Sequence, residues 1–302
     1  MKTDLLEGGV AAAKGFQVAA THCGIKTEGL DLALIVSDGP ASGAAVFTTN
    51  LVIAAPVVVS KQHLSQSGGL VRAIAVNSGC ANACTGDAGL SAARAMATTV
   101  SKTLDCQLEH ALIASTGVIG LPLDSSKIHQ GIVTAAGRLN RTAHTAAAEA
   151  IMTTDRGPKE AAIQINTSEG SFVIGGMVKG AGMIEPNMAT MLGFLTTDAK
   201  IEPGLLREAL VAAVADTFNA ITVDSDTSTS DTLLVAATGK AGNDVINDVN
   251  DPALAAFKAA FEDVLRDLAH QIVRDGEGAQ KFIEITVTGA ESDASASRIA
   301  RA

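Results

Sequence analysis

The chain reads as an α/β protein of the α+β kind, with mixed sheets layered with helices. Three observations point there. Short apolar runs recur between Gly, Pro, Asn and Ser turns, and several longer segments carry apolar residues at helical spacing. Hairpin-like pairs also interrupt any regular strand–helix alternation, which argues against a doubly wound parallel sheet. With 302 residues the chain can bury a large core. Its apolar residues are mostly Ala, Val, Ile and Leu, with no Trp, no Tyr and only 8 Phe, a composition suited to closely packed helices on sheets.

Taken in order, residues 31–36, 43–47, 54–60 and 71–76 are short apolar runs bounded by turn residues, and each is expected as a strand. After Gly86 and Asp87 the pattern changes. Leu90, Ala93, Met96, Ala97 and Val100 recur at helical spacing and predict a core-facing helix over 88–104. Residues 112–114 form a short strand running into Ser115-Thr116-Gly117, and 128–139 and 143–152 give two further helices. Segments 163–165 and 172–178 predict a hairpin leading into a glycine-rich stretch. Beyond it, 191–197 and 232–237 read as strands, and 203–218 as a helix opening at Pro203. The longest helical pattern spans 252–273. Leu254, Phe257, Ala260, Phe261, Val264, Leu265, Leu268 and Ile272 share one face, with Lys258, Glu262, Asp263, Arg266 and Asp267 opposite. Residues 281–288 alternate as a strand should. No internal repeat or low-complexity linker is present.

The net charge of −10, without any Lys/Arg cluster, argues against a nucleic-acid partner. The first ten residues carry acids and glycines where a signal peptide needs an unbroken apolar stretch, and no uncharged apolar run reaches membrane-spanning length. A cytoplasmic protein without a membrane partner is expected. Cys23, Cys80, Cys84 and Cys106 do not make a disulfide framework, and the Cys80–Cys84 spacing lacks the second pair a zinc site needs. His22, His63, His110, His129, His144 and His270 show no paired metal spacing. The carboxylate-rich run from Asp224 to Asp231 lacks the central glycine and terminal glutamate of a calcium loop, so no metal is expected. The glycines between Gly175 and Gly182 fit neither a phosphate loop nor a dinucleotide fingerprint.

The chemistry lies in Lys179-Gly-Ala-Gly-Met-Ile-Glu-Pro-Asn-Met-Ala-Thr190-Met-Leu-Gly, which places a hydroxyl behind a small residue after a glycine-rich approach. A threonine hydroxyl is a weak nucleophile at neutral pH. If the chain breaks between Ala189 and Thr190, the new α-amine, of pKa about 8, lies beside the hydroxyl and can take its proton. Taken alone, such a stretch also reads as a loop entering a helix with Thr190 as its cap.

The whole string resembles the processing site of the ornithine acetyltransferase, or glutamate N-acetyltransferase, family of arginine biosynthesis. Further blocks resemble that family in family order: Asp31-Leu-Ala-Leu-Ile-Val-Ser-Asp38, Phe47-Thr-Thr-Asn50, Asn77-Ser-Gly-Cys-Ala-Asn-Ala-Cys-Thr-Gly86, Ser115-Thr-Gly-Val-Ile-Gly120, Met152-Thr-Thr-Asp155, Ile221-Thr-Val-Asp224 and Asp275-Gly-Glu-Gly278. The resemblance implies an α-β-β-α arrangement with a second lobe, a self-processing N-terminal-threonine enzyme. It implies cleavage between Ala189 and Thr190 into an α chain (1–189) and a β chain (190–302) that pair into a heterotetramer. Thr190 is then the nucleophile that carries acetyl from N-acetylornithine to glutamate, with Thr116 (hydroxyl) and Gly117 (amide) as the oxyanion hole. Thr153, with Thr154 next to it, Lys179, Thr190 and Glu277 are implied to line the substrate site, a cation for the α-carboxylate and an anion for an amine. No cofactor is implied. Acetyl-CoA is a second acetyl donor for some members.

The family continues past the Glu291-Ser-Asp-Ala-Ser-Ala-Ser block with a segment that supplies an asparagine and a hydroxyl to the substrate site, whereas this sequence ends at Ala302. A β chain truncated at its C-terminus is therefore expected. Ser225 stands where the family usually has glycine and Ser230 where it has asparagine. If that glycine needs positive φ, Ser225 strains its loop. Two other readings stay open at this point: a self-processing threonine amidase or aminopeptidase using water as acceptor, and an inactive truncated fragment.

Overall fold

The computed structural model describes residues 2–167, 170–185 and 191–301. Within them, nine strands join one mixed sheet: β1 (Lys2–Leu5), β2 (Phe16–Thr21), β3 (Leu32–Phe47), β4 (Leu70–Cys80), β5 (Ala111–Val118), β6 (Lys159–Thr167), β7 (Gly170–Lys179), β8 (Leu192–Thr197) and β9 (Thr232–Ala237). Their order is β1-β6-β7-β8-β9-β3-β4-β5, with β2 also paired to β3. Only β4–β5 and β8–β9 run parallel.

The architecture turns on β3, which is long enough to serve two layers. Its first half pairs with β2 and β4, its second half, from Ser42 to Phe47, pairs with β9, and the register shifts between Val36 and Ala41. Asp38-Gly39-Pro40 lies at that shift, where a proline lacking an N–H is tolerated and the strand can bend. The two halves of the sheet thereby face each other. Phe16, Ile35, Val76 and Leu112 of one half meet Met177, Phe194 and Leu234 of the other in a shared core, joined by helix α4 (His144–Ile151).

The outer faces are covered by helices. On one side α1 (Ala55–Gln66), α2 (Gly86–Thr103) and α3 (Ser125–Ala136) pack on the β4–β5 half, and on the other α5 (Pro203–Ala215) and α6 (Pro252–Arg274) pack on β6 to β9. The result is the expected α-β-β-α layering. The helices start where local chemistry permits: Asp124 and Asp251 accept amide protons of their first turns, and Pro203 and Pro252 occupy first-turn positions whose N–H would go unused. The apolar stripe of α6 is buried as its periodicity requires, and Phe257 stacks between Phe172 and Phe261, with ring centroids 5.8 and 5.4 Å away.

Three expectations need correction. Residues 54–60 are not a strand but the start of α1. The run Val57-Val58-Val59 favours extended chain, yet Pro56 sits in a helical first turn, and the helix has a tertiary task at the edge strand β5. Ser60 Oγ donates to the Ile113 carbonyl (2.6 Å) and accepts its N–H (2.8 Å), while His63 Nδ1 lies 2.9 Å from the Ala111 carbonyl. Helix side chains thus replace a ladder neighbour. Residues 31–36 and 43–47 are one strand rather than two, because a bulge continues the ladder across the turn-like residues. Residues 281–288 alternate but pair with no strand among the described residues, leaving Ile283 and Ile285 at 73% and 63% exposure; a lone strand without a neighbour has no ladder to stabilise it. Sequence reading also missed β1, β2 and α7 (Asp293–Arg301), a helix that buries nothing.

Candidate active site

The paired C-terminal ends of β4 and β5 build a rigid turn. Ser78 and Gly79 lie opposite Thr116 and Gly117 in the parallel register. Gly117 adopts φ 127°, and a Cβ there would stand 2.4 Å from the carbonyl carbon of Gly79, so no other residue fits. Buried hydroxyls and an amide fix the surroundings: Ser115 Oγ donates to Asn77 Oδ1 (2.6 Å), Asn77 Nδ2 to the Cys80 carbonyl (2.9 Å), and Ser78 Oγ to the Ala150 carbonyl (2.6 Å). A turn held this firmly can present donors to an oxyanion without reorganising.

At the end of β7, Lys179 is buried to 3% side-chain exposure, and its Nζ donates to Thr153 Oγ1 at 2.7 Å. Asp155 lies beside it, its Oδ2 at 4.0 Å. The Asp155 carboxylate also accepts the Lys159 ammonium (2.7 Å), the Gly180 N–H (2.7 Å) and the Thr153 N–H (3.0 Å). Lys159 continues to Asp275 (2.6 Å), which holds Arg156. Thr154 has no such tie to Lys179 among the described contacts. Glu277 donates its N–H to the Ala181 carbonyl (2.7 Å), and its carboxyl lies so close to Gly182 that a Cβ there would meet it at 2.7 Å. Thr153, Lys179 and Glu277, distant in sequence, therefore converge on residues 179–182.

Lys26 joins this cluster to the Gly117 turn. Its Nζ donates to the Met152 carbonyl (2.9 Å), and its stem lies against Gly79. The loop that carries it is wrapped around Asp31, whose carboxylate accepts four backbone N–H groups, from Cys23, Gly24, Ile25 and Lys26.

Ala189 and Thr190 lie outside the described residues. The described backbone on both sides of them is held by carboxylates. Asp155 takes Gly180, Asp224 takes Met183 (2.5 Å) and Ile184 (2.9 Å), and Asp231 takes Met191 (2.8 Å). Sequence reading quoted or scanned all three aspartates without giving them this task. Their signal was present, since each lies in a block singled out above, but acceptance of a distant amide has no sequence pattern. Lys26 was missed altogether.

Electrostatics separate these groups. Burial pushes Asp155 upward, but the Lys179 and Lys159 charges and its hydrogen bonds win and hold it below the usual carboxylate range. Burial draws the Lys179 ammonium down, opposed chiefly by Asp155. For Asp231 burial prevails, and its carboxyl is held well above the usual range. Among the described residues no three His, Cys, Asp or Glu side chains are grouped to hold a metal ion. Among the same residues no helix is long and apolar enough to cross a membrane.

The profile described as "ArgJ family" matches residues 17–302. The chain belongs to the ArgJ family. It is 50% identical over 280 residues to the arginine biosynthesis bifunctional protein ArgJ of Chlorobaculum tepidum, covering 93% of this chain and 69% of that relative. The ornithine acetyltransferase of Mycobacterium tuberculosis, solved in complex with ornithine, matches at 38% identity with a TM-score of 0.56, over 61% of this chain and 98% of the solved one. The l-aminopeptidase d-ala-esterase/amidase of Ochrobactrum anthropi, a variant of the Ntn hydrolase fold, matches at 11% identity and a TM-score of 0.51, which places this ArgJ-family chain in the same fold and no further.

Proposed function

We propose that the chain moves an acetyl group from N-acetyl-L-ornithine to L-glutamate through an acetyl ester on Thr190, after cutting itself between Ala189 and Thr190. The observation that carries this reading is the convergence of Lys179, Thr153 and Glu277 on residues 179–182, ahead of the threonine, in a member of the ArgJ family. The extent of the M. tuberculosis match supports the cut. It covers nearly all of that solved chain with 61% of this one, about the share that precedes Thr190.

In self-processing, the Thr190 hydroxyl attacks the Ala189 carbonyl, the C–N bond breaks with a proton delivered to nitrogen, and water hydrolyses the resulting ester. The freed α-amine then serves as base. Thr190 Oγ attacks the acetyl carbonyl of the donor as its proton passes to that amine; the Thr116 hydroxyl and Gly117 amide stabilise the tetrahedral oxyanion; ornithine leaves with the proton. Glutamate's amine reverses these steps. Lys179, kept in place by Thr153 and Asp155, meets the substrate α-carboxylate, and the Glu277 carboxylate meets an amine. The cut pieces stay paired and assemble as a heterotetramer. Water as sole acceptor has no comparable support, since the amidase likeness concerns fold alone.

Intact mass of the purified protein beside a Thr190→Ala variant tests the reading. Two fragments meeting at Ala189 and Thr190 in the parent only, followed by glutamate-dependent transfer from N-acetylornithine, are expected; an uncut parent that folds sinks it. Acetyl-CoA in place of N-acetylornithine asks whether a second donor is accepted.

A further inference from the structure

We propose that Asp231 is a positioning residue for the reaction at Thr190, acting through the backbone amide of Met191. The inference rests on the reading of Thr190 as nucleophile.

Met191 directly follows Thr190, and both of its backbone polar groups go to the start of β9. Its N–H donates to Asp231 Oδ1 at 2.8 Å and its carbonyl accepts the Thr232 N–H at 3.2 Å. Asp231 is itself clamped, its carbonyl accepting the Thr48 N–H at 3.0 Å and its side chain lying at 0% exposure. The parallel pairing of β8 with β9 begins one residue later, at Leu192 and Thr232. A side chain thus extends the ladder by one position toward the scissile bond, where a backbone partner would have no reason to be a carboxyl.

The second oxygen makes the case stronger. Asp231 Oδ2 is buried and has no hydrogen-bond partner among the described residues. Hydroxyls of Ser228 and Thr48 face the carboxyl, Lys179 is the charge acting on it from β7, and Asp155, Lys159 and Glu277 surround that lysine. An unsatisfied buried polar atom is costly, and such costs persist where a site requires them. Burial also raises the pKa of this carboxyl and so favours its neutral form as the acceptor for Met191. An asparagine supplies an uncharged acceptor in the same place; an alanine is uncharged but supplies no acceptor.

The test is the rate of self-cleavage, followed by intact mass from the onset of refolding, for the parent, Asp231→Asn and Asp231→Ala. Misplacing a reacting group by about 1 Å costs roughly 100-fold, and a loss of that order is expected for alanine, with asparagine recovering to within about tenfold of the parent. KM for N-acetylornithine in the fraction that does cut should stay unchanged. As pH rises through the raised carboxyl pKa the parent slows, whereas asparagine, which cannot ionise, does not. Alanine cutting as fast as the parent overturns the proposal, and so does a folded asparagine variant as slow as alanine. If alanine fails to fold, the loss of rate with rising pH decides: its presence in both parent and asparagine, or its absence from both, rejects Asp231. An uncut, folded parent instead defeats the reading of Thr190 on which the proposal stands.

Discussion

Lys159 Nζ lies 2.7 Å from Asp155 Oδ1, and the two side chains are exposed to only 4% and 0%. The pair lies just behind Lys179, so the lysine proposed to meet the substrate carboxylate inherits its position from a buried pair beside it. Removing one partner of a buried pair leaves the other charge uncompensated, at a cost of about 3–5 kcal/mol. Lys159→Met should destabilise by that order, read from chemical denaturation, and should lower transfer activity along with it.

The same network sets the acid limit. Asp155 and Asp275 both titrate below the ordinary carboxylate range, so the stability they contribute is complete above the unfolded pKa of about 4 and is lost as pH falls through their folded values. Thermal midpoints measured downward from pH 5 should fall steeply in the parent and more shallowly in Lys159→Met.

Gly117 tolerates no side chain, for two independent reasons, its φ of 127° and the approach of Gly79. Gly117→Ala should cost about 100-fold or more in kcat, the loss typical of a displaced oxyanion donor, with a smaller loss in thermal midpoint. Unchanged kcat in a folded alanine variant would remove this turn from the mechanism.

Ser225 has φ 63°, a left-handed conformation that favours glycine, beside Asp224, which holds Met183 and Ile184. Ser225→Gly should relieve strain and stabilise the protein by about 1 kcal/mol, seen as a higher denaturation midpoint.

Burial and the neighbouring Asp31 push the Cys23 thiol up to about 12, whereas Cys84 is exposed. Alkylation at mildly alkaline pH, mapped by peptide mass, should modify Cys84 first and leave Cys23 intact until unfolding.

Legibility followed the range of the interaction. The stripe of α6 and the prolines that open α5 and α6 are local, and periodicity and proline's place in a helical first turn located them, whereas the Asp124 cap went unread and α3 was expected only from 128. α1 was misread because its purpose, supplying Ser60 and His63 to an edge strand, depends on β5 about fifty residues away. At the site, motif blocks brought Thr116, Gly117, Thr153, Lys179 and Glu277 to notice. The aspartates that hold the backbone beside Thr190, and Lys26, came only from coordinates, because a carboxylate accepting an amide 40 residues away leaves no periodic trace.

Strands β8 and β9 come after Thr190 in the chain, yet in the sheet they stand between β7 and β3, which come before it. A cut ahead of Thr190 therefore leaves the second piece wedged as a keystone, laddered to the first along both edges and roofed by α5 and α6. Neither piece has an intact sheet of its own to retreat to. Their dissociation and the loss of the native state become a single event, and hydrolysis of one peptide bond changes the connectivity of the enzyme without giving it a new way to come apart.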